Sequence, residues 1–245
     1  PQRASAWSLP NLAMKFHFPA SDGCDAADAC IQVDAPSRLH LGFLDPNASL
    51  GRRFASLGLV IDAFATRLEV CPASENAIES DDPRQHDAVR RLARHLDTLQ
   101  RETGRPQPLR VRLRSAPPAH SGFGSGTQLA LALGRAFCAL HGLERSTRRL
   151  AAMLGRGERS GVGIAGFDQG GLLLDGGPGP GGTPAPVLAR LDFPAVWRVL
   201  LVLDERIDGL SGAAERAAMD QLAPFPRELA ADLCHQVLLK VLPAV

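Results

Sequence analysis

The residue types best suited to chemistry in this 245-residue sequence lie in a glycine-rich segment from Pro118 to Gln128. Gly122, Gly124 and Gly126 alternate with other residues between a strand-like pattern and a helix-like one. Glycine allows a positive φ and lets backbone amides approach a ligand closely. Because the first amides of a helix have no partners within it and lie at the positive end of its dipole, this turn predicts a phosphate site.

Side chains of the same segment add hydroxyl donors to those amides. The predicted phosphate-binding residues of the segment are Ser121, Gly122, Gly124, Ser125, Gly126, Thr127 and Gln128. A tight turn in which glycine serves only packing is the alternative interpretation. The segment is neither a Walker A loop, since no Gly-Lys-Ser or Gly-Lys-Thr ends it, nor a dinucleotide-binding G-x-G-x-x-G.

Strand and helix patterns on either side must position this turn. Leu109, Val111 and Leu113 alternate with arginines, which is typical of a half-exposed strand, and the apolar run Leu129 to Leu140 indicates a buried helix. Upstream, an amphipathic helix is predicted from Pro83 to Thr103, with Asp82 as its N-cap and Gly104 after its end. Short strands are predicted before it at Ile31 to Ala35, Leu39 to Phe43, Gly58 to Phe64 and Thr66 to Cys71.

The remaining patterns complete an α+β arrangement, since strands and helices do not alternate strictly. Residues 1–30 lack a clear period and are interpreted as a flexible leader, so that a first domain spans 31–186 and an incomplete second α+β domain spans 187–245. Downstream of the buried helix we expect a helix from Ser146 to Leu154, a glycine-rich crossing from Gly155 to Gly166, a strand from Gly170 to Asp175, a loop to Pro186, a strand from Trp197 to Leu203, and helices from Ala213 to Leu222 and Pro226 to Leu242.

Composition excludes several classes of protein. The formal net charge is +1, and the arginine pairs, such as Arg90-Arg91, lack interleaved aromatics, so we interpret them as solvated faces rather than a nucleic-acid surface. No apolar run is long enough for a membrane helix. The five cysteines are widely spaced without a C-x-x-C, which implies neither a zinc site nor a disulfide framework and favours the cytoplasm.

The glycine-rich segment resembles the second motif of GHMP kinases, P-x-x-x-G-L-G-S-S-A. The run from Pro36 to Asp45, PSRLHLGFLD, resembles their first motif and precedes the second in the expected order. Two departures stand out: Gly126 replaces the second serine of the kinase motif, and Ser160-Gly-Val-Gly163 replaces a later S-G-V-D. The carboxylate on which many of these kinases depend is therefore missing at Gly163.

With these departures, the sequence resembles one branch of the superfamily, the β-ribofuranosylaminobenzene 5′-phosphate synthases. The resemblance rests on PSRLHLG, HSGFGSGTQ, RSGVG and the glycines near Asp175, and thins towards Glu215. It implies a GHMP-kinase-like fold and a reaction of methanopterin biosynthesis. That reaction joins p-aminobenzoate to phosphoribosyl pyrophosphate and releases carbon dioxide and pyrophosphate, with Mg²⁺ as cofactor. The resemblance also implies a homodimer, while the composition favours the cytoplasm and no nucleic-acid or membrane partner.

The resemblance also implies roles for individual residues. Arg38 and His40 would face the phosphate or carboxylate of a substrate, and His120 beside the glycine-rich turn is a third catalytic candidate. Arg159 and Ser160 are candidate phosphate ligands. Candidate metal ligands are Asp45 and Asp168, with Asp175, Asp204 and Asp208 as further carboxylates; turn or capping duty is the alternative for each.

Two other function classes remain open from the residues alone. One is an ATP-dependent GHMP-type kinase of a small molecule, and the other is a non-catalytic module that binds a phosphorylated ligand. The kinase interpretation requires a carboxylate near Gly163, whereas the binding module requires only the glycine-rich turn.

Overall fold

The computed structural model describes residues 14–17, 30–118, 121–203, 209, 217–218, 221 and 223–245. A single mixed sheet of seven strands forms the centre of this part of the chain, and all pairings are antiparallel except that between β4 and β5. The strands are β1 Lys15–His17, β2 Ile31–Asp45, β3 Phe54–Pro72, β4 Ala77–Ser80, β5 Leu109–Ser115, β6 Leu172–Asp175 and β7 Val187–Leu191. Their order is β1-β2-β3-β5-β4, and β6 pairs with β3 and β7.

The two longest strands are continuous where the sequence predicts pairs of shorter ones. β2 passes through Pro36-Ser37, and its register with β3 shifts between Ala35 and Ser37 and again between His40 and Gly42. An irregularity of this kind accommodates a proline and re-aims the following side chains. The second shift comes directly after His40, in the segment that resembles the first kinase motif.

Helices pack against both faces of the sheet. They are α1 His86–Thr103, preceded by a 3₁₀ turn at Pro83–Gln85, α2 Ser125–Leu140, α3 Thr147–Met153, α4 Val162–Gln169 and α5 Arg227–Gln236; α5 continues through a π-helical segment, Val237–Val241, and a last turn, Leu242–Ala244. This last helix lies on the face of the sheet opposite to α4. The predicted caps are confirmed: the side chain of Asp82 accepts from the Arg84 amide, that of Ser146 accepts from the Arg149 amide, and Gly104 is left-handed.

The main hydrophobic core lies between α2 and the sheet. Helix α2 packs against β2, β3 and α1, and residues Leu129 to Leu133 are at most 2% exposed. This burial confirms the predicted core helix. It also makes the start of α2 a rigid platform, because the turn that precedes α2 cannot move without disturbing the core.

Several predicted elements differ from the observed ones. Trp197 to Leu203 is not a strand, because no described strand pairs with it, and Leu200 and Val202 are each 87% exposed. Helix α4 begins inside the predicted glycine-rich crossing from Gly155 to Gly166. The leader interpretation is wrong for Lys15–His17, which pairs with β2. Strand β7 was not predicted, and its pairing with β6 extends the sheet across the proposed domain boundary at residue 187.

The spacing of the cysteines implied no disulfide framework, but one pair of cysteines is bonded. Cys30 and Cys71 are joined, with Cα atoms 4.3 Å apart, because the register of β2 and β3 places them opposite each other. Their separation of 41 residues hides this relation in the sequence. Among the helices of the described chain, none is long and apolar enough to cross a membrane.

Candidate active site at the starts of helices α2 and α4

The glycine-rich segment forms the predicted turn at the start of α2. Gly122 and Gly124 have φ values of 77° and 69°, and Gly124 is the N-cap of α2. The carbonyl oxygen of Gly124 accepts from the amides of Thr127 and Gln128 at 3.0 and 3.2 Å. No acceptor for the amides of Ser125 and Gly126 lies among the described residues, as expected at the first turn of a helix. These two amides are suited to hold anionic oxygens.

Arg38 lies directly against this turn. Its backbone amide donates to the carbonyl oxygen of Phe123 at 3.1 Å, and its Nη1 donates to that of Gly122 at 3.1 Å. A Cβ atom at Gly124 would lie only 3.1 Å from Arg38 Cγ and Nε. Glycine at 124 therefore serves both the left-handed backbone and the close approach of the guanidinium group.

The start of α4 meets the start of α2 beside the same arginine. Gln128 Nε2 donates to the carbonyl oxygen of Gly163 at 3.1 Å, and a Cβ atom at Gly163 would lie 3.4 Å from Thr127 Cγ2 and 3.6 Å from Arg38 Nε. Two helix N-termini and a guanidinium group thus converge. The amides at the start of α2 and the guanidinium group favour negative charge in the space that they border, whereas the carboxylate of Asp175 already accepts from the first amides of α4.

A buried carboxylate, Asp175, holds α4 in place. It is 1% exposed at the end of β6 and accepts from four backbone amides, those of Ser56, Gly161, Val162 and Gly177, at 2.7 to 3.2 Å. The hydroxyl oxygens of Ser56 and Ser160 lie 2.6 and 3.1 Å from its Oδ2. Asp175 therefore positions the start of α4 and is occupied by these contacts rather than exposed as a metal ligand.

His40 follows Arg38 by two residues on β2 and shares its face of the sheet. Its Nδ1 accepts from the Gly42 amide at 3.1 Å, which leaves Nε2 to carry the proton of the neutral ring. The ring packs edge-on against Phe43, with centroids 4.4 Å apart. The bulge after His40 thus fixes the orientation of its imidazole.

The predicted metal ligands do not form a metal site in the described chain, which contains no cluster of three or more His, Cys, Asp or Glu residues suited to an ion. Asp45 accepts from the Ser49 and Leu50 amides at 3.0 and 2.7 Å, and Asp168 accepts from the Thr147 hydroxyl at 2.7 Å. Burial alone raises the pKa of Asp45, but these amide hydrogen bonds outweigh burial and lower it. Asp45 thus has a structural role in its turn, whereas Asp168 is exposed and bonds the first residue of α3. Asp204 and Asp208 lie outside the described residues.

The structure shows where most of the other predicted phosphate-binding residues lie and what their side chains contact. The Ser160 hydroxyl is occupied by Asp175, Ser56 and the Val162 amide, and Gln128 is 1% exposed, so both are placed to position α4 rather than to reach a ligand. Arg159 is half-buried in the loop before α4, and Ser121 is exposed at the turn. His120 lies outside the described residues.

Two arginines that the sequence interpretation missed also reach α2. A Cβ atom at Gly126 would lie 3.0 Å from Arg156 Nη2 and 3.4 Å from Arg91 Nη1. Arg91 is therefore not part of a solvated face, and its side chain is only 20% exposed. The departure from serine at position 126 was the available signal, because a side chain there would crowd the guanidinium group of Arg156 and require it to shift.

The fold and this site define a protein of the GHMP-kinase type, and residues 88–176 match the family model for the N-terminal domain of GHMP kinases. The phosphomevalonate kinase of Streptococcus pneumoniae is similar at 19% identity and a TM-score of 0.45, over 60% of this chain and 48% of the kinase.

The chain is more specifically similar to three proteins named beta-ribofuranosylphenol 5′-phosphate synthase. The protein of Archaeoglobus fulgidus is 35% identical over 88% of this chain and 70% of its own length. The counterparts from Methanothermobacter thermautotrophicus and Methanocaldococcus jannaschii are 30% and 31% identical over 87% of this chain, and over 70% and 71% of their own lengths. The chain belongs to this family of synthase enzymes.

Proposed function

We propose that the protein is a phosphoribosyl transferase that joins the ribose 5-phosphate unit of phosphoribosyl pyrophosphate to an aromatic acid, in the synthesis of methanopterin-type cofactors. The observation that carries this proposal is the convergence of two helix N-termini on Arg38 with Gly163 in place of a carboxylate. Such a site is suited to a phosphorylated substrate, but it lacks the group that would orient or deprotonate the hydroxyl acceptor of a kinase.

The proposed reaction balances without a base at position 163. The ring carbon that bears the carboxylate attacks the anomeric carbon, and the bond from that carbon to the diphosphate oxygen breaks with its electron pair leaving on pyrophosphate. The bond to the carboxylate then breaks, carbon dioxide departs, and the electron pair restores the aromatic ring. Positive charge develops at the anomeric carbon, so the main task of the protein is electrostatic.

The acceptor is a para-substituted benzoate. The motif resemblance indicates p-aminobenzoate, whereas the names of the relatives specify a phenol product, which the same chemistry would make from 4-hydroxybenzoate. The reaction itself is common to both acceptors. Comparison of the two in one assay decides between them.

The proposal also covers how Mg²⁺ is bound, how many subunits the protein has and where in the cell it lies. Because the described residues contain no cluster of side chains suited to a metal ion, we propose that Mg²⁺ arrives with the diphosphate of the substrate and is held chiefly by phosphate oxygens and water. We further propose a homodimer in the cytoplasm. Equilibrium dialysis should accordingly find Mg²⁺ on the protein only when phosphoribosyl pyrophosphate is also present.

The test of the proposed function is release of labelled carbon dioxide. The protein is incubated with phosphoribosyl pyrophosphate, Mg²⁺ and carboxyl-labelled p-aminobenzoate or 4-hydroxybenzoate, and we expect labelled gas with one or both acids. No release above background, together with ADP formed from ATP and an alcohol acceptor, would transfer the assignment to a kinase. Ligand-dependent thermal stabilisation with no turnover of either kind would support the binding module.

Gly163→Asp should abolish phosphoribosyl transfer without creating kinase activity. The new Cβ atom has room at 3.4 Å from Thr127 and 3.6 Å from Arg38, so the variant should fold, but its carboxylate would neutralise Arg38 and repel the phosphorylated substrate. Gly163→Asn is the matched control, because it has nearly the same size without the charge and should retain more transfer activity. Robust phosphorylation of galactose, homoserine or mevalonate by Gly163→Asp would contradict this account of the kinase departure.

A further inference from the structure

A basic cavity lies beside the first turn of α2. Its volume is about 310 Å³, and its lining includes Arg91, Arg94 and His95 from α1 and Arg156 from the loop after α3. Residues three and four positions apart share one face of a helix, so α1 presents Arg91, Arg94 and His95 together to this cavity. The cavity adjoins the glycine-rich turn, because Arg156 Nη2 and Arg91 Nη1 border Gly126.

Positive charge in this cavity exceeds what nearby carboxylates neutralise. Arg91 pairs with Asp87, whereas Arg156 Nε is buried and has no hydrogen-bond partner among the described residues. Burial lowers the pKa of Arg156 and the neighbouring charge of Arg91 lowers it further, whereas the carboxylate of Glu158 opposes this shift without cancelling it. Burial together with the charges of Arg156, Arg94 and Arg91 also lowers the pKa of His95 to about 4. A folded chain that maintains such repulsion is suited to an anionic ligand.

Gly126 connects this cavity to the departure from the kinase motif. Where those kinases have a serine hydroxyl, this chain has no side chain, and the guanidinium group of Arg156 takes the space beside the helix start. A guanidinium group offers charge and a planar set of donors that match phosphate oxygens. Arginines at this point thus suit a ligand with more negative charge than backbone amides alone could neutralise.

We propose that Arg91, Arg94 and Arg156 form a second anion subsite, continuous with the glycine-rich turn, that binds the diphosphate group of the sugar donor. This inference rests on the proposed function. It implies that the glycine-rich turn and Arg38 bind the 5′-phosphate group of the same sugar donor. A diphosphate has more charge than a phosphate monoester, and the described carboxylates supply no resident metal site to offset it. The cavity size lies at the lower end of the roughly 300–1,000 Å³ that is usual for ligand sites.

The test is direct binding of inorganic pyrophosphate and of ribose 5-phosphate, measured separately by calorimetry in EDTA so that no divalent metal contributes. Arg156→Met removes the charge but keeps an unbranched apolar stem. It should weaken pyrophosphate binding roughly tenfold or more, the equivalent of one charged hydrogen bond, and leave ribose 5-phosphate binding unchanged. Its melting temperature should not fall, because the substitution relieves repulsion with Arg91.

Arg94→Gln, an exposed position on α1, is the second variant and should weaken pyrophosphate binding in the same direction without affecting folding. Arg101→Gln, an exposed arginine near the other end of α1, is the matched control and should bind both ligands as the parent does. In the parent, proton NMR should show the pKa of His95 rising from about 4 when pyrophosphate binds, because the ligand offsets the three arginines.

Each other outcome overturns the assignment. Pyrophosphate that does not bind the parent, or binds Arg156→Met and Arg94→Gln as tightly as the parent, would show that the cavity is not a diphosphate subsite. Weakened binding of ribose 5-phosphate, alone or together with pyrophosphate, would make it a general phosphate subsite instead. The binding assay uses no aromatic acceptor, so it can succeed even if the decarboxylation assay fails, and the two proposals fail separately.

Discussion

Gly124→Val is expected to eliminate measurable binding of phosphoribosyl pyrophosphate while the chain still folds. The native φ of 69° is unfavourable for a β-branched residue, at a cost of roughly 1–2 kcal/mol or more. In addition, the new Cβ atom would come within 3.1 Å of Arg38 Cγ and Nε. The arginine must therefore move away from the turn, and the valine covers the amides at the start of α2. Binding is measured by calorimetry and folding by circular dichroism.

The matched control for this prediction is Gly104→Val at the end of α1. Gly104 has a φ of 65°, so it carries a similar backbone cost, but no atom lies within 4 Å of the Cβ position. The two variants should lose similar stability, whereas only Gly124→Val should lose the substrate. Unchanged affinity in Gly124→Val would show that the turn does not bind the phosphorylated substrate.

Asp175→Asn should produce the largest loss of stability among the variants considered, on the order of 3 kcal/mol, and should abolish phosphoribosyl transfer. Four amides and two hydroxyls surround the two carboxylate oxygens, and an asparagine would turn two N–H donors towards some of these donors. The start of α4 would lose its anchor, so Gly163 would no longer be held beside Arg38. Chemical unfolding and the carbon dioxide assay measure the two effects.

Asp192→Asn is the control for removal of a carboxylate. The side chain of Asp192 is 65% exposed and pairs with Arg190 after β7, so its loss should cost about 0–1 kcal/mol and leave activity unchanged. A fully stable and active Asp175→Asn variant would contradict the positioning role of the buried carboxylate. Retained stability with lost activity would instead indicate that Asp175 acts on the substrate directly.

Local patterns predicted the elements whose causes lie within a few residues of one another. The alternation of Leu109, Val111 and Leu113 identified β5, and the caps Asp82 and Ser146 identified helix starts. The same local reasoning failed for Trp197 to Leu203, where an apolar run has no strand partner in the described chain. Pairing is a relation between distant segments, so strand propensity alone could not decide it.

By itself the sequence determined the glycine-rich turn at the start of α2, the buried helix behind it and the absence of the kinase carboxylate at Gly163. The types and spacing of the residues decide these features. Glycine permits φ near 70°, and the spacing of apolar residues buries the helix. Glycine has no side chain, so position 163 has no carboxylate. The order of the two motifs also identified the superfamily, and the departures from the kinase motifs identified the branch, to which the similarity to curated relatives then assigned the chain.

Only the tertiary structure decided which residues meet. Arg38 reaches Gly163 from far along the chain, Asp175 anchors α4 through amides that no motif reveals, and Arg91 and Arg156 border Gly126. It also joined Cys30 to Cys71 and revealed the hydrogen bonds that Asp45 and Asp168 accept. The physical reason is that strand register and helix docking are set by burial of the whole core, which depends on many residues at once.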